Sequence, residues 1–222
     1  MKEISSGIFS ENGKILTLNS RPGQRVYGEP ILKKGKKEYR EWIPYRSKLA
    51  AAIKKGLKKI PVEKNQKILY LGSATGTTPS HLSDIVGEGG IIFCVEFSER
   101  MMREFLRVCS QRKNLVPILA DARKPQEYSD ITEKVDLVYC DIAQPDATRV
   151  AVINCKEFLK SGGYLMIAIK SRSVDITKRP SDIYREEIQK LKMAGFEVLD
   201  WMKLDPFEKD HAFILARQIP SK

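Results

Sequence analysis

The sequence predicts an α/β protein in which a mostly parallel sheet is covered by helices and preceded by a small β-rich unit. Three observations carry that expectation. Beyond Pro61, short apolar runs alternate with stretches whose apolar residues recur at helical spacing. Those runs are rich in β-branched residues, as strands buried on both faces are. Ahead of them, from Ser6 to Lys37, small apolar clusters are broken by turn residues at Gly7, Asn12-Gly13, Arg21-Pro22-Gly23, Gly28-Glu29-Pro30 and Gly35.

Within the first unit, Ile15–Leu18 and Arg25–Tyr27 have the pattern of hairpin strands. Pro44 then introduces an alanine-rich stretch from Arg46 to Gly56 that suits a helix, with lysines near its end and a glycine to close it. A boundary at residue 55 separates this unit (1–55) from the larger domain (56–222). In the larger domain the expected strands are Lys67–Leu71, Ile91–Glu96, Leu115–Leu119, Val135–Asp141, Tyr164–Ile169, Glu197–Lys203 and His211–Ala216. Helices are expected after the first strand as far as Val86, then over Ser98–Arg112, Ala147–Lys160 and Ser181–Ala194. Met101, Met102, Phe105, Leu106 and Cys109 fall on one helical face and read as core.

The chain has 222 residues, enough for one sizeable core with a small appendage and too few for two large domains. Its uninterrupted apolar stretches, such as Leu165–Ile169, are far short of the roughly 20 residues that span a bilayer. Residues 1–12 hold no apolar run of the signal-peptide kind, so no membrane association and a cytoplasmic location are expected. Net charge is +11, and residues 1–60 hold 15 Lys and Arg against 5 Asp and Glu, which places +10 of it in the first quarter. That asymmetry suits an acidic polymer as partner, although a solvated basic face has the same signature. Cys94, Cys109, Cys140 and Cys155 include no C-x-x-C pair and read as small buried hydrophobes, and no metal site is expected.

Between the first expected strand of the large domain and the helix after it lies Gly72-Ser73-Ala74-Thr75-Gly76-Thr77-Thr78. Its two glycines permit a tight turn and close backbone approach. The G-x-x-x-G spacing matches neither the dinucleotide fingerprint nor the triphosphate loop, and a plain strand-to-helix turn has the same spacing. Three acids strengthen a ligand reading, because each stands where an expected strand ends. Glu96 can accept hydrogen bonds from ribose hydroxyls, Asp121 can accept from an exocyclic adenine amine, and Asp141 closes the fourth strand. An adenosine ligand without a phosphate loop favours S-adenosyl-L-methionine over a dinucleotide.

On these residues the chain resembles archaeal fibrillarin, along nearly its whole length. The segments carrying the resemblance include Val26-Tyr27-Gly28-Glu29, Glu38 through Trp42, Arg46 through Ala51, Leu69 through Thr78, Ser80-His81, Asp121-Ala122-Arg123, Asp141 through Pro145, Lys170 through Ser173 and Asp210-His211-Ala212. Ile43, Pro79 and Ala147 depart from the usual pattern, and the glycine-arginine-rich leader of eukaryotic members is missing. The resemblance implies a Rossmann-like class I methyltransferase with a seven-stranded sheet, methylating the ribose 2'-hydroxyl of rRNA or tRNA. It assigns Gly72, Thr77, Thr78, Glu96, Asp121, Ala122, Asp141 and Gln144 to the cofactor, with Ala74, Gly76 and Phe97 beside them. It also implies a catalytic set of Lys48, Asp141, Lys170 and His211. The implied partners are a Nop-domain scaffold protein, a box C/D guide RNA and a kink-turn-binding ribosomal-type protein.

A ribose hydroxyl is a poor nucleophile, so such a site must align it and assist loss of its proton. Lys170 at a strand end is the candidate base, with Lys48 depressing and Asp141 raising its pKa. His81, inside a helix, is expected to be structural. A noncatalytic scaffold of the same fold lacks any need for these four side chains. A protein-glutamine or small-molecule methyltransferase lacks a reason for the basic first quarter.

Overall fold

A computed structural model describes residues 1–220, so the last two residues of the expected second domain lie outside the described residues. Five antiparallel strands form the first sheet: β1 (Lys2–Ser5), β2 (Ile8–Glu11), β3 (Lys14–Leu18), β4 (Ile31–Lys34) and β5 (Lys37–Glu41), in the order β1-β2-β3-β5-β4. The β-rich character is as expected, but Arg25–Tyr27 is not a strand. The backbone amides of Val26 and Tyr27 donate to the Glu29 carboxylate at 3.1 and 2.9 Å, which spends them on a side chain rather than a ladder. β4 and β5 form instead the hairpin that the sequence pattern left undefined.

Pro44–Arg46 makes a single helical turn, and Ser47 caps α1 (Lys48–Lys54) by accepting from the Ala50 amide. Leu49, Ala50, Ala51, Ala52 and Ile53 of α1 are buried in one cluster with Tyr70, Tyr139 and Phe213 of the large sheet, and Ile8, Ile15 and Trp42 join it from the first sheet. α1 is thereby fixed against the large sheet, and Lys48 with it.

The large sheet is built from β6 (Lys67–Leu71), β7 (Ile91–Glu96), β8 (Leu115–Leu119), β9 (Val135–Cys140), β10 (Leu159–Lys170), β11 (Phe196–Lys203) and β12 (His211–Gln218). Their order is β11-β12-β10-β9-β6-β7-β8, with β12 antiparallel to both neighbours. Covering helices are α2 (Thr77–Val86), α3 (Glu99–Cys109), α4 (Ala147–Phe158), the short α5 (Ser171–Val174) and α6 (Pro180–Met193). β10 starts five residues earlier than the sequence pattern implies, since its first segment contains Gly162 and Gly163 and is too polar to read as strand, and the ladder to β9 shifts register there. Cys94, Cys140 and Cys155 are buried and Cys109 is partly buried, all as free thiols.

The chain leaves β6 toward β7 on one side and returns to β9 on the other, so the strand order reverses between β6 and β9. In open α/β sheets, ligands bind outside the carboxyl ends of the strands at such a point. Gly72 follows β6 there with φ +83°, and a Cβ added to it would stand 2.7 Å from the Asp141 carbonyl oxygen. Only glycine lets the two strand ends approach this closely.

Candidate active site

Two hollows adjoin at the carboxyl ends of β6, β7, β8, β9 and β10. The first, about 260 Å³, lies over β6, β7 and β9. Gly72 and Ala74 form one side of it, Glu96, Phe97 and Met101 a second, Asp121, Ala122 and Arg123 a third, and Asp141 through Gln144 the fourth. The second, about 230 Å³, contains Lys48, Asp141, Lys170, Glu208 and His211. Asp141, Ile142 and Ala143 border both.

Glu96 and Asp121 are each held in place by local backbone amides. Glu96 accepts from the amides of Ala74 and Ser98, both at 2.8 Å, so β7 anchors the glycine turn. Ala74 takes φ +47°, a left-handed conformation fixed by that bond. A carboxylate has about four lone-pair positions, and two remain on Glu96 for hydroxyl donors. Asp121 accepts from the Arg123 amide at 2.9 Å. Arg123 reaches Gln144 Oε1 at 2.9 Å and Asp146 at 3.1 Å, which ties the loops after β8 and β9 together. Phe97 is 74% exposed, an apolar ring at the rim with no protein surface covering it.

Three residues expected at the cofactor do not line this hollow. Gly76 caps α2 at φ +92°, and Phe105 of α3 fills the space a Cβ would need, at 2.5 Å. Its glycine serves helix packing. Thr78 is buried with its hydroxyl 2.8 Å from Ser47 Oγ, so it fastens α2 to α1. Thr77 opens α2 beside it. None of Ile43, Pro79 and Ala147 lines either hollow.

In the second hollow, Lys48 Nζ lies 2.9 Å from Asp141 Oδ1. Burial would lower the Lys48 pKa, but the Asp141 carboxylate more than offsets it and the net shift is upward. Lys48 therefore stays an ammonium. Asp141 forms its ion pair with Lys48, and among the described residues none with Lys170, a choice the sequence left open. Lys170 and His211 face each other as a directly paired position of the β10–β12 ladder. Among the described residues Lys170 forms no ion pair. His211 Nδ1 is 2.7 Å from the Lys209 carbonyl, which can only accept, so the neutral ring carries its proton on Nδ1 and leaves Nε2 able to accept another. Glu208, whose carboxylate lies 3.9 Å from His211 Nδ1, went unassigned in the sequence, as did Arg123. The signal for Glu208 was its position three residues before His211.

His81 lies apart from both hollows. It is fully buried, with Nδ1 2.7 Å from Thr17 Oγ1, Nε2 2.9 Å from the Tyr27 hydroxyl and its ring stacked on Trp42. Burial, reinforced by Arg40 and Arg112, holds its pKa well below the ordinary value.

A sheet of this order, with a glycine turn after its first strand and acids at the ends of the next three, defines a class I S-adenosylmethionine-dependent methyltransferase fold. The fibrillarin family model matches residues 2–220, and the chain belongs to that family. The fibrillarin-like rRNA/tRNA 2'-O-methyltransferase of Staphylothermus marinus is 56% identical over 204 residues, covering 92% of this chain and 87% of its own. The structure is similar to Aeropyrum pernix fibrillarin with natively bound S-adenosyl-L-methionine, at TM-score 0.86 and 52% identity, covering 91% of this chain and 88% of that one. It is also similar to the fibrillarin of a fibrillarin/Nop5p complex, at TM-score 0.91 and 38% identity, covering 98% and 100%.

Proposed function

We propose that this chain is the S-adenosylmethionine-dependent 2'-O-methyltransferase subunit of a box C/D guide-RNA particle, acting on rRNA or tRNA. The single observation that supports this most is Asp141. It is shared by a hollow suited to adenosine and a pocket holding two lysines and a histidine, which places a donor site and an acceptor site side by side.

The first hollow fits the cofactor by its donor and acceptor chemistry. Glu96 has capacity for the ribose hydroxyls, Asp121 for the adenine amine, and Phe97, Met101 and Ile142 supply apolar walls for a planar base. When bound, S-adenosylmethionine supplies a methyl group already activated on a sulfonium. The protein's own task is then orientation and proton loss. Lys48 fixes the Asp141 carboxylate between the two hollows, and Lys170 meets the incoming 2'-hydroxyl. With Lys48 committed as a cation, Lys170 and His211 Nε2 are the groups left to hold or accept the hydroxyl proton.

Target choice comes from outside the chain. Phosphate contacts by a basic first quarter carry little sequence information. We assign that role to a guide RNA, presented with a Nop-domain scaffold and a kink-turn-binding protein, and we place the particle in the cytoplasm. The fibrillarin/Nop5p complex supports the scaffold part of this assignment.

Labelled S-adenosylmethionine, offered with RNA to the chain alone and to a reconstituted particle, tests the proposal. Methylation of one programmed nucleotide in the particle, moving when the guide is changed, is the expected result. A unique site methylated by the chain alone, or label arriving on protein glutamine, would overturn it.

For the cofactor hollow, Glu96→Ala is expected to weaken S-adenosylmethionine binding by about 1 to 3 kcal/mol, because a hydroxyl pair loses its acceptor. NAD should not compete. Isothermal calorimetry that finds the affinity unchanged removes Glu96 from the site.

A further inference from the structure

β10 ends and β12 begins at the reaction pocket, and the ladder between them stops at the pair Lys170 and His211. Element ends open locally unless further contacts hold them. Here one residue supplies those contacts. Asp210, directly before His211, takes φ +59°, a left-handed conformation that aspartate and asparagine enter more readily than other side chains bearing a Cβ. Its carbonyl oxygen accepts from both the amide and the hydroxyl of Ser171, each at 3.0 Å. Ser171 directly follows Lys170 and is wholly buried. The Asp210 carboxylate accepts from Arg172 Nε at 3.2 Å. All three bonds tie the residue before His211 to the two residues after Lys170.

The left-handed turn also acts on the histidine ring. An extended residue at position 210 would carry Lys209 away along the line of β12, at about 3.3 Å per residue. Turned back at Asp210, the Lys209 carbonyl instead meets His211 Nδ1 at 2.7 Å. A carbonyl can only accept, so this contact places the neutral ring's proton on Nδ1 and leaves a lone pair on Nε2. The His211 backbone is pinned from the other side, its carbonyl accepting from the Leu204 amide at 2.9 Å. Without the Lys209 carbonyl, Nδ1 would have only the Glu208 carboxylate at 3.9 Å, beyond hydrogen-bond distance, and no contact among the described residues would decide which nitrogen carries the proton.

We infer that Asp210 is a positioning residue. By its left-handed backbone and its bonds to Ser171 and Arg172, it holds His211 beside Lys170 with Nε2 free to take the ribose hydroxyl proton. Its part in turnover rests on the RNA-methyltransferase reading above, whereas its hold on the ring does not. Strained backbone persists at a reacting site where surrounding bonds over-determine it, and the bonds from Ser171 and Arg172 do so here. An ion pair with Arg172 that served stability alone would need the carboxylate but not the left-handed turn.

Two measurements test this. With isotope-labelled histidine in the whole chain, long-range proton–nitrogen spectra at about pH 8, above the ordinary imidazole pKa of about 6.5, report which nitrogen of each ring is protonated. The sequence has two histidines, so His81 is an internal reference. His211 is expected to carry its proton on Nδ1 in the unaltered chain and to show both tautomers in Asp210→Ala. Asp210→Asn should return the proton to Nδ1, because asparagine keeps the left-handed preference while losing the charge toward Arg172. In the assembled particle, Asp210→Ala is expected to lower kcat about tenfold, with the KM for target RNA and the affinity for S-adenosylmethionine within about twofold, and Asp210→Asn to recover most of the loss. A proton on His211 Nε2 in the unaltered chain overturns the inference outright, as does Asp210→Ala with tautomer and kcat unchanged. If Asp210→Ala does not fold, Ser171→Ala decides, since it deletes one bond to the Asp210 carbonyl and should lower kcat about threefold with the same drift in tautomer. No drift there overturns the inference too. Failure of Asp210→Asn to rescue would give the effect to the Arg172 ion pair and not to the turn. An unaltered particle that transfers no methyl to RNA removes the functional reading, while the histidine spectra still decide the positioning.

Discussion

Lys170→Ala is expected to lower methyl transfer to RNA by at least about 100-fold, the low end of what a positioned acid-base group supplies, while S-adenosylmethionine affinity stays within about twofold. The reason is the division of charge around Asp141. Lys48 already neutralises that carboxylate at 2.9 Å, so removing Lys170 leaves the wall between the two hollows intact. Lys170 closes β10 beside His211 and does not border the first hollow. The loss should therefore fall on kcat with the cofactor constant untouched. Lys48→Ala makes the contrast, since it strips Asp141 of its partner and should disturb cofactor affinity and turnover together. Single-turnover rates within about twofold of the unaltered enzyme would exclude Lys170 from the chemistry.

The contrast between the two lysines also marks what the sequence could and could not disclose. The parallel strands were legible because β6, β7 and β9 are apolar runs buried on both faces and β8 is a short apolar run like them, and Glu96, Asp121 and Asp141 stood out as acids ending such runs. Their common position at the switch between β6 and β9 follows from topology alone. Pairings between distant segments were not legible. Nothing in the local pattern says that Lys48, on a helix in the first quarter, rather than Lys170 will neutralise Asp141. Thr78 was assigned to the cofactor through the family resemblance, yet its hydroxyl pairs with Ser47, 31 residues earlier. Arg25–Tyr27 has strand-like composition, and only the Glu29 carboxylate folding back on its amides prevents a ladder. Net charge misleads in the same way. Of the cations in the basic first quarter, Arg40 is wholly buried and Lys48 is spent on Asp141, so neither is available to an outside polymer.

Arg40 belongs to a buried ionic network, and breaking that network is expected to cost more stability than any other single change discussed. Asp84 on α2 accepts from Arg40 of β5 at 2.7 Å and from Arg112, beyond α3, at 2.5 Å, while Arg40 also meets Glu29 at 2.5 Å. All four side chains are 0 to 2% exposed. Burial, with Arg40 nearby, presses the Arg112 pKa below its ordinary value and Asp84 only partly offsets it, so the Arg112 cation depends on that carboxylate. Asp84→Asn keeps the shape but leaves Arg112 without a carboxylate, and loss of one partner from a buried pair costs about 3 to 5 kcal/mol. For a chain of this length the melting temperature should fall by roughly 6 to 20 °C. Burial acts against the Glu29 carboxylate too, but Arg40 and the amides of Tyr27 and Val26 outweigh it and hold its pKa below the ordinary range. A group depressed in this way contributes stability above its unfolded pKa of about 4.3, and that contribution disappears as pH falls through the lower folded value. Urea midpoints should thus hold from pH 7 to about 5 and drop at more acid pH. Because the network joins the first sheet to α2 away from both hollows, Asp84→Asn below its melting transition should bind S-adenosylmethionine like the unaltered chain. A melting temperature within about 2 °C of the unaltered protein would show that Arg40 and Arg112 find their counter-charge elsewhere.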